Sequence, residues 1–422
     1  MKCPNAKNYF ICLLCIVSLS ACGVETSATE ARLTVVPTET SKVTSTVTPE
    51  STPVFTKTPQ TPMVATVENP VTPTPVHTEE TDWLQSLPID VMDEPEGTLR
   101  FDKMSSRNPI RLAIGDTHIY WSAWGERHCI FQYPLTGGEI ETLICSDFDD
   151  GEMNLTGTAQ PQDWLLLYDT RAAAQGMVWR IKVLNLQNGT VKVIDEEPGD
   201  SMSWPGPLID SDAIRVVWTH NASSEDKQCV ETILAMRDLI TGEYRELKRT
   251  CADNTIMWTL VGLWRNRLVV ERDLPDNKGR GNDLFLYDLD ADSWVQLTGN
   301  GQSSMPEIWG SWIVWKAGPR YSLGPTAVYD LESGKRRLIP RIYAERDPCI
   351  EGQWVYWTPA IHRPLYLYNA EKDQLVNIVT PGENENIESV AVNHGRVAWV
   401  RKLDFEHTVS AYLLEWRKLP GE

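Results

Sequence analysis

The sequence predicts an all-β fold: a seven-bladed β-propeller closed by an N-terminal strand and preceded by a disordered Thr/Pro-rich tether. Three observations predict it. A "YDL"-type run recurs seven times from Tyr133 onward, at steps of 51, 53, 50, 42, 39 and 44 residues. A short apolar strand ending in tryptophan recurs at Trp121, Trp218, Trp315, Trp357 and Trp399. Beyond residue 97 short β-rich runs alternate with turn residues, and no long helical period appears. A repeat of this length is that of a four-stranded propeller blade.

The chain opens with Lys2 and Lys7 and the apolar run "YFICLLCIVSLSAC". That run is too short for a mature transmembrane helix and has the layout of an export signal. Leu19-Ser20-Ala21-Cys22 resembles the lipobox of bacterial lipoproteins. The resemblance implies removal of residues 1–21 and acylation of Cys22. Two or more acyl chains hold a protein stably on a bilayer. The expected location is therefore the cell membrane, lipid-anchored and facing the extracytoplasmic side.

Residues 22–96 read as a linker. Between Thr34 and Thr81 lie 15 Thr and 8 Pro, a composition that cannot build a packed core. A flexible tract of about 50 residues reaches on the order of 40 Å.

Residues 97–422 read as the propeller, with units beginning near 109, 153, 203, 255, 304, 347 and 386. The seventh unit has three strands, "ESVAVNHG", "RVAWVRK" and "TVSAYLLEW", which leaves an open edge. "GTLRFDKM", starting at Gly97, is expected to supply the missing outer strand and close the ring.

The recurring Trp sits on strands that are apolar on both faces, as "WIVWKA" shows. Two apolar faces mean burial on both sides, so these rings belong between blades. "WLLLYD" and "RLVVER" fill the same place in the second and fourth units. Trp164, Trp312 and Trp354 stand three residues earlier, in the turn before the second strand. Edge packing is the stronger reading for them, ahead of a sugar platform.

The pattern in "PEIWGSWIVW…AVYDL" and "PCIEGQWVYW…YLYNA" resembles the repeats of TolB-like propellers. It is clearest in the fifth and sixth units. The resemblance implies a module that binds other proteins of the cell envelope, and one architecture serves many functions.

Without Lys2 and Lys7, 37 basic and 58 acidic residues leave a charge of −21. Such a surface repels phosphate backbones, so no nucleic-acid partner is expected. The second-to-third-strand connections differ from the rest of the chain: together they hold 11 basic and 10 acidic residues. Arg127, Arg272, Arg280, Arg320, Arg363 and Arg401 there are candidates for an anionic partner. His128, His220, His362 and His407 lie in the same connections. Some propeller lyases of pectic sugars hold a metal with histidines near the ring axis. Here each His comes from a different unit and no His-x-His spacing occurs, so no metal or other cofactor is expected.

A cytoplasmic thiol chemistry is not expected in an exported chain, and disulfides are permitted. Cys129 and Cys145 face each other if "TGG" caps a hairpin. Cys229 and Cys251 flank a similar hairpin two residues off register, which leaves their bridge open. No CxxC zinc pair and no Gly-x-Ser-x-Gly elbow occurs. The leading expectation is a non-enzymatic binding module for an envelope protein or cell-wall polymer. The alternative is a lyase or hydrolase of acidic polysaccharide working from the loop-rich face.

Overall fold

The computed structural model describes residues 89–420 except 93, 103–108, 124–126, 148–151, 160–163, 174–175, 197–207, 213, 224–229, 253–257, 274–281, 319–323, 340–347, 394 and 406–407. All regular elements among these are strands. They form seven sheets arranged as a seven-bladed propeller.

Two strands precede the blades: β1 (Ile89–Val91) and β2 (Gly97–Asp102). Blade one holds β3 (Pro109–Ile114), β4 (His118–Ala123), β5 (Cys129–Pro134) and β6 (Glu141–Cys145). Blade two holds β7 (Glu152–Ala159), β8 (Trp164–Ala173), β9 (Gly176–Asn185) and β10 (Val191–Glu196). Blade three holds β11 (Leu208–Ser211), β12 (Arg215–Ser223), β13 (Val230–Asp238) and β14 (Tyr244–Ala252). Blade four holds β15 (Trp258–Trp264), β16 (Arg267–Asp273), β17 (Asn282–Asp288) and β18 (Ser293–Gln296). Blade five holds β19 (Ser303–Trp309), β20 (Trp312–Ala317), β21 (Thr326–Asp330) and β22 (Arg336–Ile339). Blade six holds β23 (Cys349–Glu351), β24 (Trp354–Tyr356), β25 (Leu365–Asn369) and β26 (Gln374–Val379). Blade seven holds β27 (Glu385–Asn393), β28 (Arg396–Phe405) and β29 (Thr408–Lys418).

The ring closes as the sequence predicts. β2 pairs antiparallel with β29, Gly97 opposite Trp416 and Asp102 opposite Ala411, and becomes the fourth strand of blade seven. Gly97 is required there, because a Cβ on it would overlap the Trp416 indole. One element differs from expectation. Residues 89–91 fall in the segment read as linker, yet β1 pairs in parallel with β26 and gives blade six a fifth strand. Met92 N extends the contact to Asn377 O at 3.1 Å.

The recurring tryptophans are the core. Trp121, Trp218, Trp315, Trp357 and Trp399 are all buried, and Leu167 and Val270 take their place in blades two and four. Phe131 stacks on Trp121 with centroids 5.9 Å apart, and Phe101 of the closing strand meets the same indole edge-on at 5.7 Å. Trp354 is buried, whereas Trp164 and Trp312 are half-buried against core clusters, so all three pack.

The "YDL"-type runs have a local cause. Asn185, Asp238, Asp288 and Asp330 each accept two backbone N–H groups of the turn into the fourth strand, at 2.7–3.2 Å. A short Asx side chain is suited to that work. The next residue then ties this turn to the one between strands one and two. Leu135, Leu289, Leu331 and Ala370 donate to Thr117, Asn266, Ser311 and Gln353 carbonyls, each at 2.8 Å. Both turns therefore lie on one end of the ring, the turn face. Antiparallel order puts the second-to-third connections and the blade-to-blade connections on the other end, the loop face.

The outer strands of blades one, two and three each shift register by one residue where they meet the third strand. Such bulges hinder edge-to-edge pairing with another chain.

Candidate functional site

The loop face is the first place to look. Arg127 is exposed and donates to Ser146 O. His128 is half-buried, and its carbonyl accepts Ser146 N at 2.8 Å. Both are thus bound to the connection leaving blade one. His220, on β12, stands 5.7 Å from the Trp179 ring of blade two, and burial lowers its pKa. Arg272 lies over the Phe285 ring at 5.5 Å, where burial likewise lowers the pKa of its guanidinium. His362 adopts φ 59°; its N–H donates to Asn386 Oδ1 at 3.0 Å and its ring Nδ1 stands 3.1 Å from Glu385 O. Arg363 is exposed and closes the same turn through its backbone N–H to Ala360 O.

Arg401 is the most engaged of the predicted cations. It pairs with Glu385 Oε2 at 3.1 Å and with Glu415, whose other oxygen accepts Trp399 Nε1 at 2.7 Å. Glu415 is 1% exposed, and burial raises its carboxyl pKa against the pull of Arg401. The predicted binding cation is therefore part of the interior of blade seven, because β27, β28 and β29 bring two carboxylates to it. A comparable network joins blades one and two. Lys182 Nζ meets Asp169 at 2.7 Å and Asp147 at 2.6 Å, and Ser146 Oγ donates to Asp169. Hydrogen bonding and attraction from Lys182 lower the Asp147 carboxyl pKa.

Arg280, Arg320, His407, Cys229 and Cys22 lie outside the described residues. So does the side chain of Cys251, whose backbone pairs with Glu231. Cys129 and Cys145 are joined by a disulfide at directly opposed positions of β5 and β6. Among the described residues, no three His, Cys, Asp or Glu side chains are grouped as a metal-ligand set.

Two recesses lie away from the loop face. A cavity of about 140 Å³ sits on the ring axis, between inner strands of six blades. Asp210, Asp212, Trp264, Glu307, Trp309 and Glu351 line it. The Trp264 and Trp309 rings lie 3.8 Å apart, tilted by 37°. Asp210 accepts Leu263 N at 2.6 Å, and burial pushes its carboxyl up to about 7. Burial, with Cys349, Glu351 and Glu307 nearby, raises the Tyr356 hydroxyl pKa well above its ordinary value. No motif in the sequence marks these residues. Their signal was positional: Asp212, Trp264, Trp309 and Glu351 each stand three residues before the second strand of their blade. The second recess lies at the seam of blades seven and one.

No family model matches the chain, and no curated protein matches it. Solved structures do. An acylaminoacyl peptidase in complex with Z-Gly-Gly-Phe-chloromethyl ketone matches with a TM-score of 0.52 and 15% identity, over 74% of this chain and 52% of that one. The chain thus spans about half the length of that peptidase. The β-propeller domain of the Trilobed protease from Pyrococcus furiosus matches with a TM-score of 0.51 and 13% identity, over 74% of this chain and 98% of that one. That domain is described as having an open velcro topology, whereas β2 closes the ring here. TolB from Acinetobacter baumannii matches with a TM-score of 0.38 and 13% identity, over 79% of this chain and 67% of that one. The matches with the acylaminoacyl peptidase and the Trilobed protease domain place the chain among β-propellers and show the fold alone.

Proposed function

We propose that the chain is an exported, lipid-anchored envelope protein whose propeller is a non-enzymatic binding module for an envelope protein or cell-wall polymer. One observation carries the reading. The segment that follows the Thr/Pro tract enters the ring through β1 and then β2, which are hydrogen-bonded into blades six and seven. A tether attached in this way transmits its pull to two blades, as a displayed module requires. The fixed cations of the loop face fit the same reading. Arg401 and Arg272, with the His220 ring packed beside Trp179, brace a rigid platform from which the variable connections project.

The test uses the full chain in its native envelope. Wild-type protein should sediment with membranes and Cys22→Ser should be released. Cross-linking should then recover one envelope component at a fixed ratio. Turnover of a uronate polymer by the purified full chain, with no cross-linked component, would overturn the reading in favour of a lyase or hydrolase.

A further inference from the structure

Where blade seven meets blade one, the turn face holds a cleft of about 420 Å³. This is within the size range of small-molecule sites, roughly 300–1,000 Å³. Its lining comes from the two ends of the ring. Arg396 begins β28, Trp416 and Lys418 end β29, Glu96 leads into β2, and Asp116 and His118 lie at the turn between β3 and β4. Pro134 and Leu135 add an apolar strip.

The polar groups here differ from those around Arg401. Lys418 is exposed, and its ammonium has no ion-pair partner among the described residues. Arg396 reaches Glu96 only at 3.9 Å. His118 Nδ1 is shared with Thr117 Oγ1 at 2.8 Å, which leaves Nε2 for another partner. Glu96 is held in place by Lys418 N at 3.2 Å.

We propose that this seam cleft binds a sugar bearing a carboxylate. Sugar hydroxyls both donate and accept, so they match a wall on which carboxylates of Glu96 and Asp116 alternate with Arg396 and His118. The C–H face of a pyranose matches the apolar strip of Pro134 and Leu135. The sugar's own carboxylate falls to Lys418 and Arg396, the pair with unmet charge-assisted donors. A neutral sugar would leave that pair unanswered. An occupied cleft also bridges blade seven to blade one, so the ligand stabilises the closed ring. The site is on the opposite face from the connections considered above and does not depend on the lipid anchor.

The experiment is calorimetric titration of the full chain, with thermal unfolding in parallel. The probes are galacturonate, glucuronate and N-acetylmuramate, each against its uncharged counterpart galactose, glucose or N-acetylglucosamine. Saturable binding of at least one acidic sugar is expected, with a raised melting temperature and about tenfold preference over its neutral counterpart. Lys418→Ala and Arg396→Ala should each weaken it about tenfold, and Lys335→Ala, at an exposed cation in the turn between β21 and β22, should not. Three results overturn the proposal: no saturation by any acidic sugar, equal binding of the neutral counterpart, or binding indifferent to Lys418 and Arg396. A failure here leaves the sedimentation and cross-linking outcome untouched, so the two readings fail separately.

Discussion

The two faces of the ring use charge in opposite ways. On the loop face, Arg401 and Lys182 are drawn inward and held by carboxylates of neighbouring strands. On the turn face, Lys418 stays exposed and Asp210 lines a cavity. The difference follows from where on the blade each group sits. Arg401 and Lys182 lie within β28 and β9, with carboxylates of adjacent strands beside them. Asp210 lies on the inner strand β11 and Lys418 at the end of β29, both next to tight turns. Arg401 and Lys182 therefore speak to stability, and Lys418 to binding.

The strongest way to break this comparison is Arg401→Ala. It would strand Glu415, 1% exposed, with Trp399 Nε1 as its remaining donor. Removing one partner of a buried pair costs about 3–5 kcal/mol, far more than the pair itself is worth. Chemical denaturation should show a loss near the lower figure, since Arg401 is 22% exposed. Arg401→Ala/Glu415→Gln should recover part of it. A loss under about 1 kcal/mol would place Arg401 with the free surface cations and erase the distinction.

Much of the architecture was legible in the sequence because each blade must solve the same packing problem. The buried Trp and the turn-capping Asp recur for physical reasons, and the missing fourth strand of blade seven pointed to the run Gly97–Met104, of which Gly97–Asp102 pairs with β29. β1 was not legible. Three residues carry no period, and their partner Leu375–Asn377 lies nearly 300 positions away, paired in parallel. The role of Arg401 was hidden for a related reason. A basic residue in "VRKLDFE" reads as solvated until Glu385 and Glu415 are known to flank it. The axial carboxylates share a repeat position, but single acids 40–50 residues apart do not announce a cavity.

Asp210 offers a sharper test of the axial region. Its folded pKa, about 7, lies above the unfolded value near 3.9. The folded state therefore holds more protons than the unfolded state between about pH 4 and 7. Stability must fall as pH rises through that window. Asp210→Asn keeps an oxygen to accept Leu263 N and removes the titration. The variant should gain on the wild type as pH rises from 4.5 to 8, by about 2–4 °C in melting temperature for each kcal/mol. Parallel curves across that range would mean that the Asp210 carboxylate is well solvated.

His220 should show the smallest effect and the opposite sign. Burial beside Trp179 lowers its pKa below the ordinary 6.5, with Asp195 and Glu246 opposing that shift and Arg249 adding to it. For a base held neutral in the fold, the unfolded chain binds the extra proton. Stability is therefore lost as pH falls through 6.5, the reverse of Asp210. His220→Gln should flatten that acid-side decline by no more than about 1 kcal/mol between pH 7.5 and 5. Melting curves over that range decide it. If the variant and the wild type decline together, the imidazole is reaching Asp195 and Glu246 and gaining its proton within the fold. His220 would then join the charged pairs that brace the loop face, and the contrast with the axis would rest on Asp210 alone.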